Sequence, residues 1–139
     1  MPRGIFAMLA GAALTVACDN SGGSSTTTAT ALPLTVETFS GSVDPQGSAF
    51  HTFTVAQTGE VDVGLTSVGP PVTIFMGLGI GAPAADGTCT LIAGASVSTQ
   101  ASTAPQLVGT ASPGALCVKI FDIGNQTATV TYTVMVAHP

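Results

Sequence analysis

The chain has 139 residues, of which 6% are charged, and its formal net charge is −5. An average soluble domain is about 25% charged, so hydroxyl-bearing and small side chains must cover most of this surface, as is common in exported β-proteins. Apart from Arg3 and two histidines, the one basic side chain is Lys119. Nucleic acid is excluded as a partner, because nothing here can neutralise its phosphates.

Residues 1–17 have the features of a bacterial signal peptide. Arg3 stands near the amino terminus, and the apolar run after it is too short to span a bilayer permanently. The run ends in Leu14-Thr15-Val16-Ala17-Cys18, which resembles the lipobox of bacterial lipoproteins, with Thr15 where that motif usually has Leu. The resemblance implies cleavage before Cys18 and lipidation of that cysteine. An ordinary cleaved signal with an incidental cysteine is the alternative.

Residues 18–31 are predicted to be the lipidated cysteine and a flexible tether. After Cys18 the chain is small and polar, rich in Ser, Thr and Gly, which is the composition of a flexible linker. Two or more acyl chains hold a protein stably on a membrane. We therefore expect Cys18 to anchor the protein at the bacterial cell envelope, on the outer membrane, the surface or the periplasmic side. Asp19 directly follows Cys18 and resembles the signal that keeps some lipoproteins in the inner membrane. That signal is not shared by all bacterial groups, so the sequence does not predict which membrane holds the anchor.

Two cysteines remain for the domain itself, Cys89 and Cys117. They are an even pair in a compartment that permits oxidation, so we predict a disulfide between them. Two free thiols or a metal site are the alternatives. A metal site would need further ligands nearby, and His51 and His138 are remote in sequence.

Residues 32–139 are predicted to form one all-β domain, an antiparallel jelly-roll-like β-sandwich of about eight strands. Short alternating runs are separated by Gly, Pro, Ser and Asp, and no segment after the signal has the apolar spacing of an amphipathic helix. The predicted strands are residues 34–40, 48–57, 59–67, 72–80 and 89–93, one or two strands within 96–109, and a closing pair.

Three of these segments carry further predictions. Thr58-Gly59 is predicted to be a hairpin corner between the second and third strands. Residues 72–80 are apolar at odd and even positions alike, which suggests a strand buried on both faces or passing beneath a loop. The closing pair, residues 114–125 and 129–136, is predicted to be two strands joined by a tight Gly-Asn corner, with Tyr132 in the core.

Five segments occur in a recognisable order. They are Glu37-Thr38-Phe39-Ser40-Gly41-Ser42-Val43, Ser48-Ala49-Phe50-His51-Thr52-Phe53-Thr54-Val55, Gly59-Glu60-Val61-Asp62-Val63-Gly64-Leu65-Thr66-Ser67, Pro113-Gly114-Ala115-Leu116-Cys117-Val118-Lys119-Ile120-Phe121-Asp122 and Tyr132-Thr133-Val134. This order resembles a bacterial pre-peptidase C-terminal domain over residues 34–138. The resemblance implies a secreted β-sandwich of the kind that accompanies exported proteases and other extracellular enzymes. Residues 71–78 depart from it, because they lack the acidic run usual there, and the sequence contains no catalytic domain beside the module.

No catalytic constellation is evident. His51, Ser48 and Asp62 could be drawn as a hydrolase triad, since triads are recognised by geometry rather than order. The chain has no Gly-x-Ser-x-Gly nucleophile elbow, however, and a mid-strand histidine is more often structural or solvent-facing. The sequence therefore predicts that the protein is not an enzyme.

Asp86, Asp122 and Asn125 are the candidate calcium ligands. Calcium takes about six to eight oxygen ligands, and its sites often lie in loops. Neither loop has the closely spaced carboxylates of a dedicated calcium site, and backbone hydrogen bonding alone explains Asp and Asn at turns. No cofactor is expected, with calcium as the alternative.

Binding or assembly remains as the function. A weakly charged, Thr-rich sandwich exposes strand edges with few charged residues to block pairing with another chain. Sugar binding usually needs exposed aromatic platforms, and the chain has no Trp and one Tyr. We expect a non-enzymatic binding or structural module at the cell envelope. The alternatives are a subunit of an envelope or extracellular assembly formed by β-strand addition, self-association included, and an accessory domain for a separate secreted hydrolase.

Overall fold

The computed structural model describes residues 30–139, and Cys18 with the predicted signal peptide and most of the tether lies outside them. Within residues 30–139 no helix is long and apolar enough to cross a membrane. The predicted number of strands is confirmed. The eight strands are β1 (Thr35–Val43), β2 (Ser48–Val55), β3 (Gly59–Gly69), β4 (Met76–Pro83), β5 (Cys89–Thr99), β6 (Leu107–Ala111), β7 (Gly114–Phe121) and β8 (Val130–His138).

The strands form two four-stranded antiparallel sheets. Sheet A has the order β1-β8-β3-β6 and sheet B the order β2-β7-β4-β5. Every paired strand is antiparallel to its neighbour. This is the strand order of an eight-stranded jelly roll, so the predicted jelly-roll-like β-sandwich is confirmed.

Two predicted hairpins are wrong. Thr58-Gly59 carries the chain from β2 in sheet B to β3 in sheet A, and the corner containing Gly124-Asn125 carries it from β7 in sheet B to β8 in sheet A. A hairpin and a crossover between sheets both need turn residues at the corner. The residue types at a corner therefore do not report which strands pair.

The fourth and fifth strands differ from their predicted bounds. β4 begins at Met76, because the chain turns before it and the Ile74 amide donates to the Pro71 carbonyl at 3.1 Å. Every residue from Met76 to Gly79 is buried, which confirms a strand buried on both faces. β5 extends to Thr99, beyond the predicted short strand.

The core lies between the two sheets and is built from the residues of each strand that point inward, which alternate with residues that point outward. Val61, Val63 and Leu65 of β3 point inward, as do Phe53 and Val55 of β2, as the alternation predicted. Tyr132 is 3% exposed, so its predicted place in the core is also confirmed. The buried cluster further includes Val43, Val68, Ile74, Met76, Leu78, Val118, Ile120, Val130, Val134 and Val136.

Glycines on the outer face of β4 make room for side chains from the neighbouring strands. A Cβ at Gly77 would overlap the Phe121 ring, and one at Gly79 would lie 2.6 Å from Cδ2 of Leu91. The pattern Gly77-x-Gly79-x-Gly81 is therefore needed to bury the outer face of β4 beneath its neighbours.

Cys89 of β5 and Cys117 of β7 form a buried disulfide, with an S–S distance of 2.03 Å and Cα atoms 6.0 Å apart. The predicted disulfide is confirmed. Cys117 is the register partner of Gly81 in β4, and a Cβ at Gly81 would lie 3.0 Å from the Cys89 sulfur. The bond therefore passes over β4 and ties the edge strand β5 to the interior of sheet B.

Candidate functional site

An apolar cleft opens where the free edges of the two sheets meet. β5 is the edge strand of sheet B, β6 is the edge strand of sheet A, and the two contact each other on the same side of the sandwich. The cleft has a volume of about 390 Å³ and none of its lining side chains carries a charge. It is lined by Val61, Ile80, Ile92, Ala95, Gly109, Thr110, Ala111, Ser112 and Leu116.

A bulge in β5 shapes one wall of this cleft. β4 pairs with β5 through Gly79 to Ser96 and Gly81 to Leu91, so the single β4 residue between these pairs faces the four β5 residues 92–95. Gly94 in the bulge has φ +78°, a left-handed conformation that suits glycine. The bulge brings Ile92 to the mouth of the cleft, where it is 47% exposed.

The opposite wall is β6, and the side chain of Gln106 extends the pairing of this strand with β3. Just before β6, the Leu65 amide donates to Gln106 Oε1 at 2.6 Å, and Gln106 Nε2 donates to the Leu65 carbonyl at 3.3 Å. The side-chain amide thus makes the two hydrogen bonds that a further residue of β6 would make with β3. No sequence pattern indicates this role, because an isolated Gln before a strand has many explanations.

The lining of the cleft is suited to binding an apolar group. Its lining holds no titratable side chain, and its polar groups are the hydroxyls of Thr110 and Ser112 and the main chain. Its volume lies near the lower end of the range of about 300–1,000 Å³ for ligand sites. A single large apolar side chain or a small apolar molecule fits this description.

The three residues weighed as a catalytic triad do not come together. His51 lies on the inward face of β2 and Ser48 on its outward face, since they are an odd number of residues apart in one strand. Asp62 alternates with the buried Val61 and Val63 and so faces outward from sheet A.

His51 is a half-buried residue on the inward face of β2 with two aromatic neighbours. Its Nε2 lies 2.7 Å from the Tyr132 hydroxyl oxygen, and its ring stacks on Phe39 with centroids 4.8 Å apart. Burial lowers the pKa of His51 and raises the pKa of Tyr132, because each charged form is poorly solvated between the sheets. The structural interpretation of this histidine is the one that the contacts support.

Asp122 organises the connection between β7 and β8. Its Oδ2 accepts a hydrogen bond from the Gln46 amide at 2.7 Å, and its Oδ1 accepts from the amides of Gly124, Asn125 and Gln126 at 2.9–3.2 Å. The bond from Gln46, followed by those from the other amides, lowers the pKa of the Asp122 carboxyl. The prediction that these residues form a turn held by backbone hydrogen bonds is confirmed.

The three calcium candidates lie at two ends of sheet B. Asp86 Oδ1 accepts hydrogen bonds from the Thr88 amide and hydroxyl in the β4–β5 loop, which lower its pKa. Asp122 and Asn125 follow the end of β7 that pairs with the start of β4. Asn125 Nδ2 donates to the Phe75 carbonyl at 3.1 Å. Among residues 30–139, no group of three or more His, Cys, Asp or Glu side chains is placed to hold a metal ion.

His138 and Glu37 form a polar contact that the sequence did not predict. His138 is 4% exposed, and its Nε2 lies 2.9 Å from Glu37 Oε1. Its ring packs against Phe53 with centroids 5.3 Å apart. The contact joins the last strand to the first, and a histidine near the carboxyl end of a chain gives no sign of this burial.

No family model and no curated protein matches the chain. The geometry of residues 30–139 and the sequence before them are therefore the basis for a function.

Proposed function

We propose that the protein is an exported, non-enzymatic binding module that a lipidated Cys18 holds at the bacterial cell envelope. The observation that carries the binding role is the uncharged apolar cleft between β5 and β6. Removing apolar surface from water lowers the free energy by roughly 25 cal/mol per Å². The exposed wall formed by Ile92 therefore favours an apolar occupant.

The anchor is supported by the amino-terminal sequence. The apolar run, the lipobox-like Leu14-Thr15-Val16-Ala17-Cys18 and the Ser/Thr/Gly-rich tether after it occur in the order that a lipoprotein requires. We also propose that the domain is of the pre-peptidase C-terminal type. The jelly-roll strand order agrees with that proposal, although many unrelated proteins share this architecture.

The anchor is tested by fractionating a bacterial host that expresses the full chain. The wild type should sediment with membranes, and Cys18→Ser should release it, because one acyl-bearing residue supplies the attachment. Membrane association that is unchanged in Cys18→Ser would remove the anchor from the proposal.

The cleft is tested with an uncharged apolar fluorophore such as Nile red. Saturable binding to the wild type should weaken in Ile92→Thr, which removes apolar surface from the mouth of the cleft. Val72→Thr is the matched control, because Val72 is 76% exposed but lies in the connection after the far end of β3. Equal weakening in both variants, or no saturable binding, contradicts a ligand site in the cleft.

A subunit role in an assembly formed by β-strand addition is the second candidate. This role is favoured by β6, an edge strand of sheet A that borders the cleft. From Leu107 to Ala111 the strand has neither a charged residue nor a proline to block pairing with another strand. An added strand would pair with β6 and place alternate side chains in the cleft. Sedimentation equilibrium should then show an oligomer that Thr110→Lys dissociates. A monomer at all concentrations contradicts assembly of the chain with itself.

A further inference from the structure

The outer face of sheet A combines exposed apolar side chains with carboxylates. One row across the sheet runs Val36, Ala137, Asp62, Val108, since each is the register partner of the next. Val36 is 55% exposed and Val108 is 58% exposed, and Met135 lies on the same face of β8, two residues before Ala137. Opposite residues in such a row have Cβ atoms about 4.5–5.5 Å apart, so these side chains form one continuous surface.

Asp62 stands in the middle of this row with an unmet hydrogen-bonding need. Its Oδ1 is shielded from solvent and has no hydrogen-bond partner among residues 30–139. Its two neighbours in the row, Ala137 and Val108, cannot donate from their side chains. Asp62 as a whole is only half-buried, and it forms no ion pair with another side chain of residues 30–139. A cation supplied by a partner at the exposed part of this carboxylate would therefore be bound favourably.

The charges on this face have one sign. Glu60 is two residues before Asp62 in β3 and lies on the same face. Lys119 is the one Lys or Arg of residues 30–139, and it lies in β7 of sheet B. The histidines His51 and His138 pack between the sheets. A partner that carries positive charge is therefore complementary to this face, and an anionic surface is repelled by it.

We propose that this face, defined by Val36, Glu60, Asp62, Val108, Met135 and Ala137, is a docking surface for a partner protein. The complementary segment presents a Lys or Arg side chain flanked by apolar residues. The cation reaches Asp62, and the apolar residues cover Val36 and Val108. Glu60 is the register partner of Thr110, which lines the cleft, so the surface borders the cleft at that point. The row from Val36 to Val108 contains no residue that lines the cleft.

Peptide titration of the isotopically labelled full chain carrying Cys18→Ser tests the surface by NMR. The probes are two capped heptapeptides that alternate Thr and Val around a central residue, which is Lys in one and Glu in the other. The Lys peptide should shift the amide signals of Val36, Asp62, Val108 and Ala137, and the Glu peptide should leave them unchanged. Raising the salt concentration should weaken the binding, because the contact is charged.

Asp62→Asn keeps the shape of the side chain and removes its charge. It should weaken binding of the Lys peptide at least about fivefold, since the neutral amide no longer forms an ion pair with the Lys ammonium. Asp86→Asn, which removes a carboxylate from the remote β4–β5 loop, should leave the affinity unchanged.

Four outcomes of the peptide titration overturn the docking surface. They are no shifts at millimolar Lys peptide, equal shifts with both peptides, an affinity that Asp62→Asn does not change, and shifts confined to cleft residues such as Ile92. Binding of the chain to phosphatidylglycerol vesicles through this face would also contradict it. Each of these outcomes leaves the cleft and the anchor to be judged by their own experiments.

Discussion

The Tyr132 hydroxyl oxygen and Nε2 of His51 lie 2.7 Å apart and join sheet A to sheet B through the core. Gly41 makes this contact possible, because a Cβ at that position would lie 2.6 Å from the Tyr132 hydroxyl. Tyr132 is buried and His51 is half-buried, and each supplies the other's side-chain hydrogen bond. The pair should therefore contribute to stability as a unit.

Tyr132→Phe should lower the free energy of unfolding by about 1–2 kcal/mol, because it leaves His51 Nε2 without its hydrogen bond. Urea denaturation of the wild type and the variant measures the loss. In a double-mutant cycle, Tyr132→Phe should cost less in a chain that already carries His51→Leu, which cannot hydrogen-bond to the Tyr132 hydroxyl. Additive losses would show that the two side chains are not coupled.

The stability of the protein should depend on pH through His51. Burial lowers the pKa of His51 from its ordinary value of 6.5 in the unfolded chain. The stabilisation from the neutral ring is therefore complete above that value and is lost as the pH falls through it toward the lowered native pKa. We expect the free energy of unfolding to fall more steeply between about pH 7 and pH 5 in the wild type than in His51→Gln.

Urea titrations of the two proteins across this range give the comparison. His138 and the carboxylates are common to both, so the difference between the two curves isolates His51. A difference that does not change with pH would contradict a lowered pKa for His51.

Loss of the Cys89–Cys117 bond should destabilise the domain by about 3–4 kcal/mol in the chain-entropy model. The two cysteines are 28 residues apart, and the bond restricts the unfolded chain over that distance. Thermal denaturation with and without reductant measures the effect. The double variant Cys89→Ala/Cys117→Ala should melt at the same temperature with and without reductant. If reductant lowered the melting temperature of both proteins equally, its effect would not come from the Cys89–Cys117 bond, and the prediction would be contradicted.

Gly77→Ala should destabilise the protein by about 1–3 kcal/mol, because the new methyl group would overlap the Phe121 ring. Gly109→Ala is the matched control in β6, where a Cβ would have no heavy atom within 4 Å. Its free energy of unfolding should stay within about 0.5 kcal/mol of the wild type. Denaturant curves of the two variants provide the test, and equal losses would contradict the packing described for β4.

Much of the fold was predictable because its causes are local. Alternation of apolar and polar residues located the strands, and the composition indicated an all-β domain. The disulfide followed from two cysteines left over for an oxidising compartment. The turn at Asp122 followed from the tendency of Asp to accept hydrogen bonds from nearby amides.

The pairing of strands was not predictable in the same way. A turn that contains Gly suits a hairpin and a crossover alike, so Thr58-Gly59 and Gly124-Asn125 suggested pairs that the fold does not make. The burial of His138 against Glu37 is a contact between the two ends of the domain, 101 residues apart. No local pattern reports a contact over such a separation.

The cleft could not be predicted from the sequence for a related reason. It is made by two edge strands, β5 and β6, that belong to different sheets. Its shape further depends on the bulge at residues 92–95 and on the pairing of Gln106 with Leu65. The sequence did indicate edges without charged residues, but not that two of them meet around an apolar space.

Photo-crosslinking in envelope preparations tests most directly whether the cleft binds an envelope component. A photoreactive amino acid is placed at Ile92 in the mouth of the cleft or, as a control, at Val72 in the connection after the far end of β3. We expect a defined crosslinked product from position 92 and none from position 72. Products from position 72 alone, or the same products from both positions, would contradict binding at the cleft.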